Sequence, residues 1–214
     1  MANSNGSFGL RPIGRLGSSA NTTGTTEYRI ASDNSNPIFQ GMAVIPLAAG
    51  VIDDLQAAAG GTVSIVVVFN GCEYVSSTTG EKVFSNFWPG SGADSNFPVK
   101  AFVYDDPMQL FTIATSNVQT SNDTEAELRT AVFSNIQLAT GNSGSTTTGL
   151  SSATADLNTV ATTNTHALRI MGIQDDPENS DFSAAGIPLI VRINNHYNAP
   201  NGGIAQGTVS TTGV

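Results

Sequence analysis

Two histidines are the only side chains in this 214-residue chain that ordinarily titrate near neutral pH. His166 follows Thr-Asn-Thr, and His196 lies between a pair of asparagines and a tyrosine. Neither has a nucleophile motif beside it, and the chain contains no Gly-x-Ser-x-Gly elbow, Walker loop, dinucleotide fingerprint or His-x-x-x-His pair. Histidines without such partners are more often structural than catalytic. We therefore expect a protein that is not an enzyme and that needs no cofactor.

Three adjacent acid pairs, at 53–54, 105–106 and 175–176, are the other candidates for chemistry. Clustered carboxylates in loops could hold Ca²⁺, or act as the acid and base of a glycoside hydrolase. The second and third pairs read Asp-Asp-Pro, and an Asp before Pro typically accepts a hydrogen bond from the backbone ahead of it in a turn. Their spacing matches no known Ca²⁺ loop. The pattern therefore favours turns, with no metal, and nothing specific supports a hydrolase.

The single cysteine, Cys72, excludes an intramolecular disulfide framework and any site built from several cysteines. It closely follows the apolar run Val66-Val67-Val68-Phe69. A cysteine in such a position typically behaves as a small buried hydrophobic residue. We therefore expect an inert thiol.

The composition favours strands and turns and argues against two classes of partner. Charged side chains make up only 12% of the chain, and the polar surface is supplied instead by 22 Ser, 24 Thr and 19 Asn, beside 22 Gly. Scarce Glu, Lys and Arg argue against a helical bundle, whereas Thr, Gly and Asn favour strands and turns. With 17 acids against 8 bases, the net charge of −9 argues against nucleic acid and against an anionic membrane surface as partners.

The charge is unevenly distributed along the chain. Residues 1–29 carry three bases and one acid, a balance of +2, whereas residues 30–214 carry 5 bases and 16 acids, a balance of −11. Residues 1–25 are small and polar apart from scattered apolar positions, so we interpret them as an arm that orders on an acidic partner. The residues that we expect to contact this partner are Phe8, Leu10, Arg11, Ile13, Arg15 and Arg29. A merely solubilising loop is the alternative.

Turn signals recur about every ten residues between short β-branched and aromatic runs. This pattern predicts a mostly β fold, namely a single β-barrel or β-sandwich domain with one short helix and an extended N-terminal arm. We expect the arm at 1–25, the β-domain at 26–198 and a flexible C-terminal tail at 199–214. On this division, deletion of the arm would leave a folded domain.

Within the expected domain, four segments carry specific predictions. The Val-rich residues 62–74 predict a central buried strand. Residues 125–138 predict the helix, because apolar side chains lie at helical spacing after a capping Thr124. Residues 153–165 are polar and predict an extended loop, and residues 56–59 predict a single helical turn.

Several short motifs, taken in order, carry a resemblance to a known family. They are Asn-Gly-Ser-Phe-Gly-Leu-Arg-Pro-Ile-Gly (5–14), Thr-Glu-Tyr-Arg-Ile-Ala-Ser (26–32), Asn-Gly-Cys-Glu-Tyr-Val (70–75), Asn-Phe-Trp-Pro-Gly (86–90), Asp-Asp-Pro-Met-Gln-Leu-Phe (105–111), Asp-Pro-Glu-Asn-Ser-Asp-Phe-Ser-Ala-Ala (176–185) and Val-Arg-Ile-Asn-Asn-His (191–196). Together they resemble small structural proteins of marine tailed bacteriophages, of the capsid decoration or cement kind. The resemblance implies binding to the outer surface of an icosahedral head where capsomers meet, with the major capsid protein as partner.

A symmetric homo-oligomer, a trimer or a dimer, would suit such a position. No secretory signal or apolar span is visible in the sequence, so we expect a protein made in the cytoplasm. The resemblance implies that this is the host cytoplasm and that the protein is located on the virion, at the outer surface of the capsid. The alternative function is a glycan- or receptor-binding β-domain of a virion fibre or head appendage. Trp88, Tyr74 and Tyr197 would then stack on sugars, although Trp88 before Pro89 also fits a core anchor.

Overall fold

The computed structural model describes residues 3–17, 24–55, 67–116, 122–139 and 143–199, and strands dominate these residues. The strands are β1 (Arg11–Arg15), β2 (Thr26–Ile30), β3 (Ile38–Phe39), β4 (Ala43–Pro46), β5 (Ile52–Asp54), β6 (Val67–Val75), β7 (Lys82–Ser85), β8 (Phe87–Trp88), β9 (Val99–Tyr104), β10 (Gln109–Ala114), β11 (Asn135–Leu138), β12 (Ala155–Ala161), β13 (Leu168–Ile173) and β14 (Pro188–Ile193). One α-helix, α1 (Glu125–Thr130), and a 3-10 turn at Pro177–Asn179 complete the described elements.

The strands form two large antiparallel sheets and one small one. The first sheet has the order β1-β10-β14-β13-β11-β12, and the second has the order β2-β9-β6-β4-β5 with β7 also paired to β6. Strands β3 and β8 form a separate two-stranded sheet. Within the described residues neither large sheet closes on itself. The prediction of a mostly β fold with one short helix is therefore confirmed, in the sandwich form and not as a barrel.

Strand β4 and the first half of β6, in the second sheet, are buried on both of their faces. Ala43 and Val68 pack into the core beneath the first sheet, whereas Val44, Val67 and Phe69 pack into a second core on the other side, with β3 and β8. Successive side chains of a strand point to opposite faces. A strand covered on both sides therefore needs a continuous apolar run. This explains the run in β6 and confirms the predicted central strand over its described part, while residues 56–66 lie outside the described residues.

The helix predicted at 125–138 is wrong over its second half. Thr124 caps the helix, since its hydroxyl accepts a hydrogen bond from the Glu127 N–H at 3.3 Å. The helix then ends at Thr130, and Phe133 takes a left-handed φ of 72° before β11 begins. Leu128 in the helix and Ile136 in the strand are both fully buried in the same core. The apolar spacing thus belongs to two short elements rather than to one helix.

The loop predicted at 153–165 is also wrong, because most of it is the edge strand β12. Ala155 and Leu157 are buried in the core, whereas Asp156 is half-buried and Asn158 is exposed. This alternation is that of an ordinary strand with one buried face. This alternation is hard to recognise in the sequence, because one of the two inward residues, Ala155, has only a small apolar side chain.

The N-terminal segment lies along the body of the protein. The Asn3 side-chain amide donates hydrogen bonds to the carbonyls of Asp181 at 2.9 Å and Ala185 at 2.8 Å. The Asn5 N–H donates to the side-chain oxygen of Asn179 at 2.7 Å. Strand β1 then pairs with β10 at the edge of the first sheet. The described part of the expected arm is extended, but it is hydrogen-bonded to the domain.

One close backbone contact and one buried side chain anchor this segment. The Leu10 N–H donates to the Gly41 carbonyl at 2.8 Å, and the Leu10 side chain is 1% exposed in the core. Gly9 has a φ of +73°, and a Cβ at this position would lie 2.7 Å from the Gly41 oxygen. Only glycine fits there. The C-terminal tail expected at 199–214 lies outside the described residues except for residue 199.

Candidate functional site

The structure separates the six residues that the sequence grouped into one docking arm. Leu10 is buried in the core, which corrects the expectation that it fills a groove on a partner. Arg15 forms an ion pair with Asp106 at 2.5 Å, so its charge is neutralised within the chain. Arg29 is exposed on the second sheet, directly opposite Lys100. These three residues do not share a surface with the rest of the group.

Phe8, Arg11 and Ile13 remain together, and we call them the edge strip. The Arg11 guanidinium carbon lies 4.4 Å from the centre of the Phe8 ring, a favourable cation–π contact. Ile13 is 43% exposed and is the extra residue where the register of β1 against β10 shifts. A bulge of this kind at a sheet edge re-aims side chains and limits further strand pairing. The edge strip therefore presents an oriented cation and an apolar side chain to solvent.

Two more arginines, Arg169 and Arg192, lie on the same outer face of the first sheet. Arg192 is directly opposite Leu110 on β10 and directly opposite Arg169 on β13. Arg11 is opposite Thr112, two residues from Leu110 on β10, so all three arginines share one face. We call Arg169 and Arg192 the arginine pair.

The sequence indicates which face of its strand each arginine of the pair occupies, but it does not indicate that the two arginines are neighbours. Arg169 stands between the buried Leu168 and Ile170, and Arg192 stands between the buried Val191 and Ile193. That alternation places each arginine on the solvent side of its own strand. Only the register of β13 against β14 makes them neighbours.

The surroundings of the arginine pair hold both guanidinium groups in place without neutralising them. Arg169 donates from Nε to the Asn135 side-chain oxygen at 3.0 Å, and Arg192 contacts the Met108 sulfur at 3.8 Å. Neither arginine has a carboxylate within 4.0 Å in the part of the chain that the structure describes. Burial and the nearby Arg169 charge lower the pKa of Arg192. Like charges directly opposite each other destabilise a strand pair.

Both histidines are buried, which fits the structural interpretation of each. His196 is 1% exposed, and its Nδ1 accepts a hydrogen bond from the Asn198 N–H at 3.1 Å. Burial lowers the pKa of His196 to about 4, so the ring is neutral at pH 7. His166 is 9% exposed, with Nδ1 3.5 Å from the Asn135 carbonyl oxygen.

The second carboxylate of each Asp-Asp-Pro motif accepts a hydrogen bond from the backbone ahead of it. Asp106 accepts from the Met108 N–H at 2.8 Å, and Asp176 accepts from the Glu178 N–H at 3.1 Å. The turn interpretation is therefore confirmed. Among the described residues, no group of three or more His, Cys, Asp or Glu side chains is arranged to hold a metal ion.

Trp88 lies in the core and presents no face to solvent. Its exposure is 0%, its indole N–H donates to the Asn34 carbonyl at 3.1 Å, and the Tyr74 ring meets it edge-on with centroids 5.4 Å apart. Stacking of Trp88 on a sugar is therefore excluded in this conformation. Tyr197 also packs against this core.

Cys72 is buried, as expected. Its thiol donates to the Phe87 carbonyl at 3.3 Å, and burial raises its pKa to about 12. A thiol with such a pKa is protonated at neutral pH and is a poor nucleophile.

Comparison with known proteins identified no relative of this chain. No family model, curated protein or solved structure matches the chain. In the described ranges, no helix has the length and apolar character needed to span a membrane. The partly exposed outer face of the first sheet, with the edge strip and the arginine pair, is thus the surface from which a function can be argued.

Proposed function

We propose that the protein is a structural component of a bacteriophage virion. In this proposal it binds the outer surface of the icosahedral head and stabilises or decorates the capsid through contacts with the major capsid protein. The observation that carries the proposal is the edge strip, where an oriented Arg11 and an exposed Ile13 lie at a sheet edge of a chain with net charge −9.

Charge complementarity supports docking through this edge. Acids outnumber bases by 17 to 8, and Arg15 is already paired with Asp106, whereas Arg11 has no carboxylate within 4.0 Å among the described residues. An exposed cation on an otherwise acidic molecule orients it towards an acidic partner and raises the association rate. Arginine beside an aromatic ring and an exposed aliphatic side chain is also a typical composition of interface centres.

The docked N-terminal segment supports a rigid contact rather than a loose tether. Because β1 is hydrogen-bonded to β10, the edge strip is ordered before any partner binds. Preorganised residues lose less conformational entropy on binding. Several copies around a capsid symmetry axis, as a dimer or a trimer, would multiply such contacts.

The test uses heads of the phage that encodes this chain, prepared without the protein, and purified protein added back. We expect the protein to cosediment with these heads and to raise the temperature at which they break open. The double variant Arg11→Gln/Ile13→Ser should bind at least tenfold more weakly with an unchanged melting temperature. The matched control is Arg29→Gln, which removes an exposed arginine from the second sheet and should bind normally.

Two outcomes would contradict the proposal. Wild-type protein that does not bind the heads excludes a role in decoration. Heads that lack the protein, are as heat-resistant as complete heads, but fail to adsorb to host cells would favour the receptor-binding alternative instead.

A further inference from the structure

The arginine pair carries a more specific inference than the edge strip. We propose that Arg169 and Arg192 together bind a carboxylate side chain presented by an acidic segment of a partner protein. The identity of that partner as the capsid rests on the proposed function, whereas the binding of the carboxylate rests on the geometry alone.

The first argument is that two like charges face each other across β13 and β14 without a counter-charge. Arg169 and Arg192 are Cα partners in the register of these antiparallel strands. Such a pair destabilises the sheet unless an anion neutralises it. The chain contains 17 acidic residues, yet none lies within 4.0 Å of either guanidinium in the part that the structure describes.

The second argument is that the remaining neighbours of the pair are neutral. Asn135 and Leu110 occupy the two flanking positions in the ladder. Thr112, the next outward residue on β10, bonds to the Gln174 side chain at 2.9 Å. None of these ladder positions supplies a negative charge, and Asp106, in the turn that carries Met108, is paired with Arg15.

The third argument concerns how the two guanidinium groups are held. Asn135 accepts a hydrogen bond from Arg169 Nε, and the Met108 sulfur accepts one from an Nη of Arg192. The terminal nitrogens of Arg169 form no hydrogen bond to the described residues. Arginine binds carboxylates through parallel N–H donors in a planar fork. The pair is therefore oriented before a ligand arrives, with donors left for it.

The surrounding surface favours a protein carboxylate over a free anion or a polyanion. Leu110 and Ile190 are half-buried on this face, and Met108 is 40% exposed beside Arg192. Apolar side chains around arginine are typical of protein interfaces. The net charge of −9 opposes the approach of a nucleic acid, whose phosphates would face an acidic body.

The test measures binding of three probes to the full chain. The probes are a hexaglutamate peptide, a hexaglutamine peptide of the same length, and inorganic phosphate. We expect the acidic peptide to bind, and Arg169→Gln or Arg192→Gln to weaken its binding at least tenfold. Arg29→Gln is the control for loss of one exposed positive charge and should change binding less than twofold. The melting temperature of each free variant is measured beside the binding.

The outcomes separate this inference from the proposed function. Equal binding of hexaglutamate by wild type and by both variants overturns it, and so does phosphate binding as tight as peptide binding. A fall in the melting temperature of both variants by more than 5 °C would make the pair structural and would also overturn it. A further outcome is that hexaglutamate binds to the wild type and not to the variants, while the wild-type protein does not bind phage heads. In that case the inference stands and the capsid role fails. If heads bind normally to both variants and hexaglutamate binding does not depend on the pair, the capsid role stands and the inference fails.

Discussion

At the scale of single residues, Phe133 is the position where local conformation and residue type disagree most. Its φ is 72°, and its side chain is 70% exposed. A bulky residue in the left-handed region is an outlier, since this conformation costs about 1–2 kcal/mol for residues other than glycine. The exposed ring gains little from burial in return. The chain needs this conformation because it must turn from α1 into β11 within four residues, Ala131 to Ser134.

Replacement of Phe133 by Asn should therefore stabilise the protein. Asn tolerates the left-handed conformation, so we expect a gain of about 1 kcal/mol in the free energy of unfolding, or roughly 2–4 °C in melting temperature. The matched control is Phe84→Asn on β7, where the side chain is 71% exposed but φ is not positive. Thermal unfolding of both variants checks this, and a lower melting temperature for Phe133→Asn would contradict it.

His196 is the second residue with a measurable consequence, which concerns pH. Burial lowers its pKa to about 4 from 6.5, with Arg192 adding to the fall and Asp105 and Asp106 opposing it. Between about pH 6.5 and pH 4, His196 is protonated in the unfolded chain but stays neutral in the folded protein. Stability is therefore lost as the pH falls from about 6.5 to about 4, by at most about 3 kcal/mol.

The His196→Gln variant should lose this part of the pH dependence. Urea unfolding of wild type and variant at pH 7, 5 and 4 checks the prediction, since other groups titrate equally in both proteins. We expect the free energy of unfolding of the wild type to fall more steeply between pH 6.5 and 4. Parallel curves would show that the imidazole does not titrate in this way.

At the scale of elements, β1 is the strand whose role changed most between sequence and structure. A segment rich in Gly, Ser and Asn has the composition of a mobile arm. Its backbone nevertheless forms hydrogen bonds with β10 and with the side chain of Asn179. The Leu10 side chain is buried in the core beneath the first sheet. Deletion of residues 1–25 would remove an edge strand as well as a contact surface, so point variants are the better test of docking.

Truncation of the Leu10 side chain should destabilise the whole protein. The side chain is 1% exposed, and replacement of a fully buried leucine by alanine typically costs 2–5 kcal/mol, so we expect a loss of about 3 kcal/mol for Leu10→Ala. Ile13→Ala, in the same segment but 43% exposed, should cost less than about 1 kcal/mol. Chemical denaturation compares the two variants. Equal effects would mean that the segment does not contribute to the core.

The elements α1, β11 and β12 show where periodicity misleads. A short strand and a short helix can each supply one apolar residue to the same core, and their combined spacing then imitates a longer helix. In β12 the inward residue Ala155 carries too little side chain to mark a buried position in the sequence. Such ambiguity is intrinsic to elements of four to seven residues.

At the scale of the whole molecule, stability and binding should respond differently to salt. The four ion pairs between described side chains lie at least partly at the surface, where such pairs contribute roughly 0–1 kcal/mol each. Most of the stability must come from the two apolar cores. In our proposals, in contrast, the arginines of the outer face bind a partner through their charge.

An increase in ionic strength from 0.05 to 0.5 M should therefore weaken binding to heads by at least tenfold and shift the melting temperature by less than about 3 °C. Cosedimentation and thermal unfolding in the same buffers check this. Salt-insensitive binding would assign the contact to apolar surface rather than to Arg11, Arg169 and Arg192.

The amino-acid sequence by itself determined the fold class, the central strand and the structural character of its cysteine. These properties follow from composition and local alternation, because an apolar run is buried and an Asp before Pro forms a turn in nearly any context. It also placed Arg11 in a basic N-terminal segment. The tertiary structure alone decided that Leu10 belongs to the core, that Arg15 is neutralised by Asp106, and that Arg169 meets Arg192. The physical reason is that strand register joins residues far apart in the chain, and no local pattern encodes which strands will pair.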